Sequence, residues 1–246
     1  MKLTVLGYYG GYPQNGVGTS SYLVQSNQFN LLIDCGSGAL LSLEKVLDPL
    51  QLNAVVLSHY HHDHTADIGV LQYYWQLHPQ NRAQDLLPIY GHTQDPLNFG
   101  ALNWPNSTIG KPYSEDKELV LGPFEISFLE TQHPVPAFAM RITERETGKV
   151  LVFTADTNYF NKMVEFSKNS DLLLTDTNFF DDKQGKKWHL TAGESGTLAK
   201  LAGAKNLLLT HLPQNGDLEE LTRQAQQSAG DLIPVQHAEL RKGYQI

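Results

Sequence analysis

The run Leu57-Ser58-His59-Tyr60-His61-His62-Asp63-His64-Thr65 decides how the rest of this chain is read. It follows the β-branched apolar stretch Ala54-Val55-Val56. It precedes a segment in which Ile68, Leu71, Trp75 and His78 recur at helical spacing before Pro79. The pattern predicts strand, loop and helix in that order. His59, His61, Asp63 and His64 are thereby crowded onto one short loop. Neutral imidazole and carboxylate are the usual nitrogen and oxygen donors for zinc, and catalytic sites keep one coordination position for water. Isolated histidines at strand ends are commonly plain core or surface residues, but this density of donors points to metal.

One such loop cannot fill two coordination spheres, and the sequence supplies further donors, each after an apolar run. His133 follows Phe128-Leu129, Asp156 follows Val150 to Phe153, and His211 follows Leu207 to Leu209. Strand ends are where open α/β sheets place their ligands. His62, His78, His92 and His237 gain no such support and read as structural or solvent-facing.

Outward from the loop, short β-rich runs alternate with helical stretches, as in Leu3 to Gly7, Tyr22 to Gln25, Leu31 to Asp34, Pro88 to Tyr90, Phe124 to Leu129, Ala137 to Thr143, Leu172 to Thr175, Asn206 to Thr210 and Leu232 to Val235. This is an α/β pattern. Thr191 with Glu194, and Asp217 with Glu220, have the spacing of reciprocal helix caps, and Leu198, Leu201 and Ala202 then face the core. Gln94 to Asp116 is rich in Asn, Pro, Gly and Ser and reads as a long surface excursion, in position for a lid. No repeat or midpoint shift in composition divides the chain, so one domain over residues 1–246 is expected.

Composition limits the partners. With 246 residues and 41% hydrophobic content the chain can bury a full core. Its formal net charge of -8, with Lys45 the only cation between Lys2 and Arg82, disfavours long structured RNA. Cys35 is the single cysteine, which excludes an intrachain disulfide and a thiolate cluster. Met1 to Leu6 reads as a first strand rather than a signal peptide, and no apolar stretch of about 18 residues suggests a membrane span. A cytoplasmic location is expected.

The motif His59-x-His61-x-Asp63-His64 resembles the signature of the metallo-β-lactamase superfamily. That resemblance implies a four-layer αβ/βα sandwich of two similar halves. It implies that His59, His61 and His133 hold one metal, that Asp63, His64 and His211 hold the other, and that Asp156 bridges them. Two zinc ions are expected, with manganese or iron able to replace them in a nitrogen and oxygen site. Asp34 resembles the family's early aspartate that steadies the metal loop. His133-Pro134-Val135-Pro136, Met140-Arg141-Ile142 and His189-Leu190-Thr191-Ala192-Gly193-Glu194 resemble the ribonuclease Z-like branch, in which the histidine matching His189 lies beside the substrate phosphate. The long basic arm of the transfer-RNA-processing members has no room between His133 and Asp156. Thr175-Asp176-Thr177-Asn178 stands where those members carry a His-Glu-Ala-Thr stretch, so Asp176 is a candidate replacement for that acid.

The implied activity is phosphodiester hydrolysis on a small nucleotide or short nucleic acid through a metal-bound hydroxide, with His189 and Asp63 counted as catalytic. Hydrolysis of a thioester or lactone is an alternative, and a noncatalytic metal-binding sensor is another. Lys183, Lys186 and Lys187 lie just upstream of His189 and are candidates for phosphate contacts or for plain surface. A homodimer is compatible with all of this.

Overall fold

Apolar runs, buried throughout in Ala54–Val56, Val150–Phe153 and Leu207–Thr210 and alternating with half-buried residues in Leu87–Gly91 and Phe124–Glu130, belong to a fold of sixteen strands and seven α-helices. The computed structural model describes residues Met1–Ile246 as two compact units. The first comprises Met1–Lys117, Leu121–Pro123 and Leu240–Gln245. Its elements are β1 (Lys2–Tyr9), β2 (Gly18–Thr19), β3 (Ser21–Ser26), β4 (Phe29–Ile33), α1 (Ala39–Leu43), β5 (Ala54–Val56), α2 (His62–Thr65), α3 (Ile68–Leu77), β6 (Leu87–Gly91), α4 (Pro96–Ala101) and β7 (Thr108–Pro112).

A C-terminal strand, Gly243–Gln245, pairs antiparallel with β1, and the sheet runs from it through β1, β3, β4, β5 and β6 to β7. The steps from β4 to β7 are all parallel, so the C-terminal ends of these strands share one edge. Leu32, Val55, Leu57 and Ile89 pack with Leu40, Leu43, Ile68, Leu71 and Trp75 in a fully buried cluster. Burying such side chains is worth about 1.5–3 kcal/mol each, which holds α3 and the metal loop before it against the sheet.

The second unit comprises Glu118–Val120, Phe124–Glu239 and Ile246. It contains β8 (Leu119–Leu121, whose last residue groups with the first unit), β9 (Phe124–Glu130), β10 (Phe138–Glu144), β11 (Val150–Phe153), α5 (Asn161–Phe166), β12 (Leu172–Phe179), β13 (Leu190–Thr191), α6 (Ala192–Ala202), β14 (Leu207–Thr210), α7 (Leu218–Ala229) and β15 (Val235–His237); the terminal strand Gly243–Gln245 is β16. The order is β15-β14-β12-β11-β10-β9-β8, antiparallel through β9, β10 and β11 and parallel from β11 to β15. The chain ends of β9, β11, β12 and β14 therefore lie along one edge of this sheet. Helix α6 lies close against α7, since a Cβ on Gly196 would come within 2.1 Å of the Ala225 carbonyl. No helix is long and apolar enough to cross a membrane.

One cap expectation holds and several other expectations are corrected. Thr191 and Glu194 form the reciprocal cap of α6. Asp217 instead accepts from the Glu219 amide, while Glu220 turns to Arg223 and Gln224, so α7 has a simple cap. Leu201 is 57% exposed, because the apolar face of α6 runs through Leu198 and Ala202. Leu232 is 95% exposed and the last strand of this sheet begins at Val235. Gln94 to Asp116 is not a plain surface excursion: it holds α4 and β7 and buries Leu102, Ser107, Thr108 and Tyr113.

Candidate metal centre

Asp34 ends β4 in the left-handed region, at φ 53°, a conformation that Asp tolerates better than most residues. Its fully buried carboxylate accepts from the Ser58 amide at 2.7 Å through Oδ1, and from the Ser58 hydroxyl at 2.8 Å and His64 Nδ1 at 2.7 Å through Oδ2. These bonds fix two tautomers. The His64 proton is held on Nδ1, which leaves a lone pair on Nε2, 3.6 Å from Asp63 Oδ2. Because the Ser58 hydroxyl gives its hydrogen to Asp34, its oxygen accepts from His59 Nδ1 at 3.1 Å, and the lone pair of His59 falls on Nε2. That nitrogen lies 3.1 Å from His61 Nδ1.

The loop is braced by residues that sequence reasoning missed. The buried Tyr113 hydroxyl donates to the Leu57 carbonyl at 2.8 Å, with the Ser58 carbonyl at 3.2 Å. The Gly11 amide donates to Asp63 Oδ2 at 2.6 Å. Gly36 approaches so closely that a Cβ there would come within 2.1 Å of the Asp63 carbonyl. Neighbouring Cys35 is buried, and burial followed by the nearby Asp67 and Asp34 charges pushes its thiol well above its ordinary pKa.

The second unit builds a matching set at its own sheet edge. Asp156 follows Ala155 at φ 51°, and His211, just past β14, has φ 51°. Such left-handed non-glycine residues cost roughly 1–2 kcal/mol each and persist where surrounding contacts over-determine them. Asp156 Oδ1 lies 3.3 Å from His211 Nε2, and Oδ2 lies 3.9 Å from His133 Nε2. The His133 loop is tied to this strand end by Thr131 Oγ1 donating to the Asp156 carbonyl at 2.7 Å and Asn158 donating its amide to Gln132. Asn178 Nδ2 holds the His211 carbonyl at 2.8 Å.

Asp176, fully buried near the end of β12, does here what Asp34 does in the first unit. Its Oδ2 accepts from the Thr157 amide at 3.0 Å and from His189 Nδ1 at 2.8 Å, and its Oδ1 stands 3.2 Å from His211 Nδ1. Asp156, Asp176, His189 and His211 can each offer one donor atom within 4.8 Å of the others. Burial works against a charged His189 ring, but Asp176 and then Asp156 outweigh it and raise the pKa above its ordinary value. His189 is stacked on His211 with centroids 5.0 Å apart and meets His133 edge-on at 5.5 Å.

These donors fit a divalent metal. With bonds of about 2.0–2.1 Å, the edges of a tetrahedral zinc site are roughly 3.3 Å long. The pairs His59 with His61 at 3.1 Å, Asp63 with His64 at 3.6 Å and Asp156 with His211 at 3.3 Å lie near that edge. With the His64 proton held on Nδ1 by Asp34, an imidazole lone pair faces a carboxylate oxygen of Asp63, an arrangement that repels unless a cation lies between them. Of the other histidines, His62 and His78 are exposed, and His237 accepts from or donates to Thr222 at 3.0 Å. His92 is buried beside Tyr60, whose hydroxyl donates to its carbonyl.

Residues 29–212 match the family model described as the Beta-lactamase superfamily domain. The protein named "Probable metallo-hydrolase YhfI" of Bacillus subtilis (strain 168) is 46% identical over 227 residues, 92% of each chain. The crystal structure of Bacillus subtilis YhfI has a TM-score of 0.93 and 42% identity, over 99% of this chain and 98% of that one. Human tRNase Z, short form, has a TM-score of 0.79 at 22% identity, over 100% and 99%. A diphosphatase from the PhnP family has 0.78 at 17%, over 100% and 97%. At those identities the last two bear on the fold alone.

Proposed function

Because the chain belongs to the metallo-β-lactamase superfamily and has its two-sheet α/β fold, we propose that it is a dinuclear metal-dependent phosphodiesterase for a small nucleotide or short nucleic-acid diester. At the coarser level the chain is a metallo-hydrolase of that superfamily. In this reading residues 1–246 act as one catalytic domain. His59, His61 and His133 would hold one zinc and Asp63, His64 and His211 the other, with Asp156 shared between them. When bound, such a pair supplies Lewis acidity and acidifies water near neutral pH.

The protein's own groups do the rest. Asp34 keeps His64 directly, and His59 through Ser58, in the tautomers that present Nε2, while Asp176 orients the His189 ring. Asp63, itself held by the Gly11 amide, serves both as ligand and as part of the catalytic set. His189 is the general acid, giving a proton to the departing oxygen. The observation that carries this role is its geometry. Nδ1 is committed to Asp176 at 2.8 Å, the ring lies against His211 and His133, and the side chain stays 20% exposed, so Nε2 is the nitrogen left to meet substrate.

Phosphorus is favoured over an acyl carbon by the ribonuclease Z-like stretches His133 to Pro136 and His189 to Thr191. The short β10–β11 hairpin between His133 and Asp156 leaves no arm for transfer RNA, which supports a small substrate. The test pairs two variants. His61→Ala should lose metal and turnover together, whereas His189→Ala should keep full metal content and lose about 10²–10⁴ in kcat. Equal metal loss in both would reject the division of roles, and faster cleavage of a thioester than of an activated phosphodiester by the wild type would reject the substrate class.

A further inference from the structure

We propose that Lys187 is a positioning residue that locks the His189 segment, and that it makes no contact with the substrate phosphate. This rests on the proposed phosphodiesterase reading. The three lysines before His189 have different environments. Lys183 and Lys186 are exposed, with Nζ 4.8 Å over the Phe179 ring and 4.4 Å over the Trp188 ring. The Lys187 side chain is only 15% exposed.

An ammonium group has three hydrogens to donate. Lys187 Nζ meets three oxygens: Asn158 Oδ1 at 2.6 Å, Glu194 Oε2 at 2.6 Å and the His189 carbonyl at 3.5 Å. Its donors are therefore spent within the protein. Each partner is itself tied to something the chemistry needs. Glu194 Oε2 also accepts from the Thr191 amide at 2.9 Å in the cap of α6. Asn158 follows Asp156 closely in sequence, and its amide bonds to the Gln132 carbonyl beside His133. His189 is thus held at its ring by Asp176 and at its backbone by Lys187. Leu190 stays paired with Thr177 of β12, so loss of the ammonium group loosens the His189 carbonyl and the segment before it and lets the ring shift on its Asp176 tether.

The test compares Lys187→Met, Lys187→Arg and Glu194→Gln as zinc-loaded proteins, with a dinucleotide as substrate. A 1 Å misplacement of a catalytic group can cost 10²-fold, so Lys187→Met should lower kcat about 10- to 100-fold with KM and zinc content unchanged. Lys187→Arg, which keeps a multiple donor, should recover most of the rate. Glu194→Gln keeps an oxygen for the helix cap but loses its charge. It should lower kcat by a smaller factor and add little to Lys187→Met in the double variant, and it still decides the matter if Lys187→Met does not fold. In protein carrying ¹⁵N-histidine, the hydrogen-bonded Nδ1 signal of His189 should shift in Lys187→Met and return in Lys187→Arg. A raised KM with unchanged kcat, or a lost rate with an unmoved His189 signal, would overturn the assignment. If the wild type cleaves no phosphodiester, the functional reading falls, and the His189 signal alone still decides whether Lys187 is the clamp.

Discussion

Asp34→Asn isolates the role of one carboxylate with little other disturbance. Asn tolerates the left-handed backbone at this position, where φ is 53°, as readily as Asp does, so strain is unchanged. The carboxylate accepts three hydrogen bonds, from the Ser58 amide, the Ser58 hydroxyl and His64 Nδ1. An amide has one oxygen and one NH₂ group. If the oxygen stays on the Ser58 amide, the NH₂ group meets His64 Nδ1, and the His64 proton must move to Nε2, the nitrogen proposed to bind metal. If the amide flips, the buried Ser58 amide loses its acceptor, at a cost of about 1–3 kcal/mol.

Either outcome penalises the metal-binding form. Loss of such an outer partner typically lowers metal affinity about 10- to 100-fold. That is about 1.4–2.7 kcal/mol at one pK unit per 1.36 kcal/mol. Zinc competition against a chromophoric chelator reads the affinity, and long-range ¹H–¹⁵N correlations read the His64 tautomer. A variant that binds zinc as the wild type does, with the His64 proton still on Nδ1, would show that Asp34 does not set this tautomer.

Other perturbations reach different parts of the structure. Burial alone would raise the Asp171 pKa, but bonds from Lys205, the Val150 amide and Lys149 outweigh it and hold the pKa at about 2, below the ordinary 3.8. A depressed carboxylate stabilises above its unfolded pKa and loses that contribution as pH falls through its folded one. Asp171→Asn should therefore cost up to about 2 kcal/mol in urea melts at pH 7, with the gap closing between pH 4 and about 2. Gly196→Ala places a methyl against the Ala225 carbonyl and should destabilise by about 1–3 kcal/mol without altering zinc affinity. Tyr113→Phe removes the donor to the Leu57 carbonyl and should lower stability by about 1 kcal/mol in the same melts. Chelation of the metal should lower the melting temperature, and zinc should restore it, because a ligand that binds only the folded state stabilises it by mass action.

Much of the fold was legible because local signals and burial agree. The strand before His59 is apolar throughout and fully buried, and Thr191 with Glu194 caps α6 as spaced. The candidate donors could be named because each follows an apolar run, although β9 before His133 alternates buried with half-buried residues. What escaped reading was set by contacts distant in sequence. Nothing local to Tyr113 says that its hydroxyl reaches Leu57 and Ser58, more than fifty residues away. The stretch containing it has a helix and strand too short for a clear period. Gly11 acts through its backbone amide, which no side-chain motif can advertise. Leu201 and Leu232 were misplaced because apolar character alone does not tell which turn of a helix, or which end of a loop, meets the sheet. For Asp176, the sequence offered only a carboxylate at the right place, and its bond to His189 and nearness to His211 supply its role.

Whether the seven proposed ligands hold two metals is read by anomalous scattering at the zinc absorption edge from zinc-grown crystals. Two peaks about 3.5–4 Å apart are expected, one against His59, His61 and His133, the other against Asp63, His64 and His211, with Asp156 reaching both. A single peak, no peak, or metal bound by residues of only one unit would contradict that arrangement.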